Sequence, residues 1–156
     1  MRGVACRCKW GFPQVLICRP LRRMKPFPTS FWLVCPFLLR TLGKIESDGG
    51  VAEMREKSFG SADEWREYHL LHALIRLSML GGAQRAYLRN RRRPLYRAIC
   101  ARGAGGAAYS ADPIAVKCLH LQAASYMALG HHPMSGWLSS RVSEWECDAA
   151  HCRGVS

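Results

Sequence analysis

Acidic residues are scarce in this chain, and the scarcity is uneven. Eleven Asp and Glu stand against twenty-three Lys and Arg, a formal net charge of +12. No acid precedes Glu46, and none falls between Glu67 and Asp112. Across those two acid-free stretches lie nine basic residues, from Arg2 to Lys44, and eight more, from Arg76 to Arg102. Such a field attracts polyanions such as nucleic acid, anionic lipid or phosphorylated metabolites.

Long apolar runs are also missing. The longest, Phe31 to Leu39, is nine residues and contains Pro36, far short of the ~20 that span a bilayer. Membrane insertion is therefore not expected. The start, Met1 to Arg7, carries charge but leads into no apolar segment of the secretory kind. A cytosolic location with reduced thiols follows as the expectation. There is no C-x-x-C pair, no repeat, no low-complexity tract and no strand–G-x-x-x-x-G-K phosphate loop. The stretch Gly103-Ala104-Gly105-Gly106 thus reads as a plain linker.

What is present is globular in kind: 156 residues, 49% hydrophobic, 22% charged, with five tryptophans. One domain over 1–156 is expected, with a mobile tail at 148–156. Short β-patterned stretches at 4–8, 14–19 and 31–35 read as three strands. Pro36 suits the first turn of a helix that Asp48-Gly49-Gly50 stops. Further helices are expected at 51–57, 62–80, 83–101 (broken at Pro94), 112–129 and 135–147. Ser61 and Glu64 have capping-box spacing. Trp65, Tyr68, Leu71, Leu74 or Ile75, and Leu77 form the apolar stripe of the 62–80 helix. The class is α+β, with a small N-terminal antiparallel sheet of about three strands packed against four to six helices.

Three patches together resemble a known family. They are Arg7-Cys8 with Gly11-Phe12-Pro13-Gln14-Val15, the run Pro26 to Pro36, and Val116-Lys117-Cys118-Leu119-His120 followed by Tyr126, Ala128, Gly130, Pro133 and Gly136. In that order they resemble the bacterial domain-of-unknown-function family number five hundred and one, over roughly 4–138. The resemblance implies a bacterial cytosolic protein and brings no activity, substrate or catalytic residue. Members often carry histidine where this chain has Gln122 and Ser125, and its 59–102 region is shorter and richer in arginine.

The family-matched patches contain Cys8, Cys35, Cys118 and His120. Strand ends and a helix start can converge, and zinc takes four N/S ligands, with thiolates ~2.3 Å away. The expected metal set is Cys8, Cys35, Cys118 and Cys152, with His120 or Cys147 as alternative fourth ligands. Residues two apart on a regular helix point ~200° apart, so Cys118 and His120 share an ion only if that segment is extended. Against metal binding stands the reading that these are buried structural thiols. A thiol-dependent enzyme centred on Cys118 is another reading. It rests on a helix N-terminus and Lys117 to lower the thiol pKa, with His120, His131 or His132 as base. His69 and His72 lie three apart and suit a partly buried polar pair better than a metal site. Finally, Arg85, Arg89, Arg92, Arg93 and Arg97, interleaved with Tyr87 and Tyr96, suit nucleic acid or another polyanion.

Overall fold

Pro13 opens one strand and Pro36 opens one helix in the computed structural model, which describes residues 1–150 and 152. The strands are β1 (Gly3–Arg7), β2 (Pro13–Ile17), β3 (Leu21–Arg22), β4 (Lys25–Pro26) and β5 (Phe31–Leu33). The helices are α1 (Pro36–Ser47), α2 (Gly50–Lys57), α3 (Ala62–Ser78), α4 (Gly82–Arg91), α5 (Arg93–Cys100), α6 (Leu119–Leu129) and α7 (Ser135–Arg141). The architecture is α+β, with a three-stranded antiparallel sheet in the order β1-β2-β5. Val15 pairs with Leu33 and Ile17 with Phe31, while β1 meets β2 through an irregular register around Cys6. No helix among the described residues is long and apolar enough to cross a membrane. The expected mobile tail at 148–156 lies partly outside the described residues.

Helix α6 packs on β5, and also touches β1 and β2. Its Ala123 and Ala124 are fully buried, and side chains this small let the helix approach the sheet closely. Val15, Leu33, Leu38, Leu42, Met54, Trp65, Tyr68, Leu119 and Leu138 complete the main core. The α1–α2 corner needs its two glycines for different reasons. Gly49 sits at φ +89°, and a Cβ on Gly50 would lie 2.7 Å from the Ile45 carbonyl oxygen.

A second, smaller core joins α4 and α5 to the β3–β4 hairpin. Leu80, Leu88 and Ile99 are buried there, with Leu21, Leu77, Leu95 and Tyr96 packed around them. The hairpin turns through Arg23 (φ 48°) and Met24 (φ 60°). Both central residues are left-handed, as a two-residue hairpin of the right twist requires. In L-residues other than glycine that conformation costs roughly 1–2 kcal/mol each.

Several elements depart from the sequence expectation. The stretch 112–118 is irregular, and α6 begins only at Leu119. The last helix ends at Arg141. Ser61 makes no side-chain cap to α3. The expected apolar stripe on α3 holds at Trp65 and Tyr68, which are buried, and at Ile75 and Leu77, which pack against the two cores. Leu71 and Leu74, however, are 37% and 52% exposed, and His69, His72, Ala73 and Arg76 fill out the inward face. The inner face of α3 meets a polar layer, so polar side chains at 69, 72 and 76 turn inward and Leu71 and Leu74 turn out.

Candidate functional site

The start of α6 gathers the most chemically capable side chains. Cys118 is the N-cap residue and is extended, at φ −156° and ψ 155°. Because the helix has not begun, the ~200° separation that would drive Cys118 and His120 apart does not apply. Glu46, in the last turn of α1, reaches across to the same place. Its Oε1 accepts the Leu119 backbone N–H at 2.5 Å, which caps α6 with a negative charge where the helix favours one. The same oxygen lies 3.0 Å from His120 Nδ1, and His120 Nε2 lies 3.1 Å from the Leu39 carbonyl oxygen. Ligand atoms of Glu46, Cys118 and His120 all fall within 4.8 Å of one another.

Burial pushes the Cys118 thiol up, and the Glu46 carboxylate pushes it the same way. The backbone N–H groups of Leu121 and His120 act in the opposite direction and lose. The helix start therefore does not produce the lowered thiol pKa expected of a nucleophile. His131 is exposed, and His132 is buried with its Nε2 2.9 Å from Gln122 Oε1.

Beside this group opens a cleft of about 500 Å³. Phe31, Trp32, Leu33, Leu39 and Leu121 give it apolar walls, and Lys117, Cys118 and His120 bring in the polar atoms. Trp32 is half exposed because β5 alternates, turning Phe31 and Leu33 to the core and Trp32 outward.

The other expected thiol ligands meet elsewhere. Cys8 starts a tight loop closed by Gly11 N–H to Cys8 O (2.9 Å) and Cys8 N–H to Phe12 O (3.0 Å). The C-terminal segment is tied onto that loop. Lys9 N–H donates to Glu146 Oε1 (2.8 Å), Trp10 Nε1 to Cys147 O (3.0 Å) and Gln14 Nε2 to Trp145 O (2.7 Å). Val34, next to Cys35, donates to Gln14 O at 2.8 Å. Burial raises the Cys152 thiol, and the neighbouring Cys35, Cys147 and Cys8 add to that. Cys8, Cys35 and Cys152 thus share a corner with Cys147, whereas Cys118 belongs to the Glu46–His120 group. Among the described residues, that group is the one whose three ligand atoms are compactly placed.

The expected polar pair His69 and His72 is buried outright, and it is part of a larger layer that the spacing did not indicate, with His132 from beyond α6. His69, His72 and His132 are all essentially unexposed and surround Tyr68, at ring distances of 5.5, 4.7 and 4.8 Å. Burial holds their pKa values down, to about 4, about 3 and about 3 respectively. They are neutral groups: His69 Nδ1 accepts from Ala104 N–H at 3.2 Å and His132 Nδ1 from Met134 N–H at 2.9 Å. His72 packs against Tyr68 and Phe31, with neither ring nitrogen hydrogen-bonded among the described residues. Gln122 Oε1 accepts from the Tyr68 hydroxyl at 2.9 Å, so Gln122 completes this layer rather than the α6 N-terminal group.

Arg85, Arg89, Arg92, Arg93 and Arg97 are all exposed. Arg92 caps the break between α4 and α5, with Pro94 in the first turn of α5. Arg76 does not belong to this surface. It is buried and donates to the carbonyls of Ile99, Pro28 and Gly103 at 3.1 Å each, and to Arg102.

No curated protein and no solved structure shows significant similarity to this chain. The model of one protein family does match it, over residues 4–140. That span holds Cys8, Cys35, Cys118 and His120 and ends just before the Trp145–Cys147 segment that closes the cysteine corner. The chain therefore belongs to the family described as "Protein of unknown function (DUF501)".

Proposed function

We propose that this protein binds a zinc-class metal ion through Cys118, His120 and Glu46, beside a cleft that receives a small ligand. One observation carries the reading. His120 Nε2 lies 3.1 Å from the Leu39 carbonyl, to which it can only donate. With the proton there, His120 Nδ1 presents a lone pair to Glu46 Oε1 at 3.0 Å. Two acceptors that close need a cation between them, either a proton or a metal ion. The adjoining thiol of Cys118 favours the metal, because sulfur, imidazole and carboxylate are together a zinc donor set.

The distances support this. Metal bonds of about 2.1 Å at the tetrahedral angle place N and O roughly 3.4 Å apart, so the pair opens by only a few tenths of an ångström. The Leu39 carbonyl acts as the outer partner that fixes the imidazole tautomer. Three protein ligands leave a fourth position for water or a ligand, the arrangement of catalytic rather than structural zinc. An ion there would act as a Lewis acid on a bound group. The apolar walls and the Lys117 ammonium suit a small anionic molecule with an apolar body.

Metal content per chain tests the reading. Wild-type protein from zinc-replete medium should hold close to one zinc. Cys118→Ser and His120→Ala should each lose it, while Cys35→Ser/Cys147→Ser should keep it. Cobalt substitution should give a thiolate charge-transfer band that Cys118→Ser abolishes. A zinc-free wild type would end the proposal. Loss of the metal only in the Cys35/Cys147 variant would move the site to the cysteine corner, the set Cys8, Cys35, Cys147 and Cys152.

A further inference from the structure

The fold brings together two basic stretches that are far apart in sequence. The β3–β4 hairpin carries Arg22, Arg23 and Lys25, all exposed. The α4–α5 pair carries Arg85, Arg89, Arg91, Arg92, Arg93 and Arg97, also exposed. Leu21 of the hairpin packs into the small core of Leu80, Leu88 and Ile99, and β4 lies against α5. At the junction a groove of about 430 Å³ is lined by Met24, Arg91, Arg92, Pro94 and Leu95. The tip of the hairpin thus abuts the α4–α5 break, where three arginines follow one another.

Nothing in the described structure neutralises this face. None of these nine cations is in an ion pair among the described residues, whose pairs involve other residues. No acid occurs in the sequence between Glu67 and Asp112. The hairpin also holds two long side chains, Arg23 and Met24, at left-handed positions that glycine or asparagine would occupy more comfortably. Strained positions of this kind mark places where a side chain is wanted.

We infer that the hairpin and the α4–α5 pair form one surface that binds the phosphate backbone of single-stranded nucleic acid. Guanidinium forks meet phosphate oxygens in bidentate fashion. Tyr87, 47% exposed among the arginines of α4, offers a face on which a base can stack. A single projecting aromatic with no continuous apolar rim suits base stacking better than insertion among lipid tails.

The test is fluorescence anisotropy of the full-length protein with a labelled single-stranded 20-mer across a salt series. Affinity should fall with salt, log K losing about 0.7 per phosphate neutralised for each tenfold rise. Two triple variants separate the halves of the surface: Arg22→Gln/Arg23→Gln/Lys25→Gln and Arg89→Gln/Arg92→Gln/Arg93→Gln. Each should flatten the salt slope and weaken binding at 0.1 M salt about fivefold per lost contact. All six side chains are exposed, so circular dichroism and melting temperature should match wild type, and Tyr87→Ala gives a second readout through lost stacking. If the hairpin variant binds like wild type, the joint surface is wrong. No oligonucleotide binding, or capture by phosphatidylserine vesicles alone, would overturn the nucleic-acid partner.

Discussion

His120 Nδ1 lies 3.0 Å from Glu46 Oε1, across 74 positions of sequence. The contact ties the last turn of α1 to the first turn of α6, and the same carboxylate oxygen caps α6 through the Leu119 N–H. Glu46 therefore has a structural task and a proposed ligand task, and substitution separates the two. Glu46→Gln keeps the shape and a carbonyl acceptor for the cap but removes the charge. It should cost about 0.5–1 kcal/mol of stability through the helix terminus and weaken zinc at least about tenfold. Thermal melting and competition with a chromophoric chelator measure the two effects. Unchanged zinc affinity would remove Glu46 from the ligand set.

The buried histidine layer makes the protein acid-sensitive. His69, His72 and His132 have folded pKa values of about 4, about 3 and about 3, below the ordinary 6.5. The unfolded chain therefore binds protons that the folded one refuses. Stability is full above pH 6.5 and falls as pH drops from there towards 3–4, by up to about 1.4 kcal/mol per pH unit for each histidine. Urea midpoints measured from pH 7.5 to 4.5 should decline, and His72→Phe should shallow the decline. A flat profile would contradict the neutral buried layer.

Arg76 donates to four carbonyls, tying the Pro28 loop to the end of α5 and the turn at Arg102–Gly103, and has no carboxylate beside it. Burial lowers its pKa to about 10, which still leaves it charged at neutral pH. Arg76→Met would leave the carbonyls of Pro28, Ile99, Arg102 and Gly103 without this donor. At about 1 kcal/mol for each lost bond, a loss near 3 kcal/mol is expected, offset in part by burying less charge. Arg76→Lys should fare little better, because one ammonium cannot reproduce the planar fork. Chemical denaturation reads the result, and an unchanged midpoint for both would refute the role.

Two glycines give opposite expectations. A Cβ on Gly103 would lie 2.5 Å from His69 Nδ1, in a buried place, so Gly103→Ala should destabilise by about 1–3 kcal/mol. Gly43, inside α1, has open space around its Cβ direction. Gly43→Ala should stabilise by about 0.5–1 kcal/mol through helix propensity. Melting temperatures of the pair test the packing at both places.

Much of the scaffold is written locally. Pro36 and the Asp48-Gly49-Gly50 stop bound α1 as they stand in the chain, because proline and glycine act on their own backbone. The aromatic and β-branched run at 31–35 between Pro28 and Pro36 gives β5, and the acid-free basic stretches give the charge. Periodicity marked the inner face of α3 at Trp65 and Tyr68. Spacing also marked His69 and His72 as a partly buried polar pair, but not that Arg76 completes the face, since burial of polar groups depends on partners supplied by other elements.

The candidate site divides the same way. Sequence singled out Cys118 and His120, and it posed the right geometric condition, that they cooperate only if the backbone is extended. Whether it is extended was decided by the fold, in which Glu46 caps α6 one residue after Cys118. Glu46 itself carried no motif, because its role exists only where α1 ends against α6. The cysteine corner was sorted by the same contacts, with hydrogen bonds from Lys9, Trp10 and Gln14 drawing Cys147 to Cys8 and leaving Cys118 with the cleft. Residue chemistry fixes what each side chain can do, and only chain folding sets which side chains lie within bonding distance.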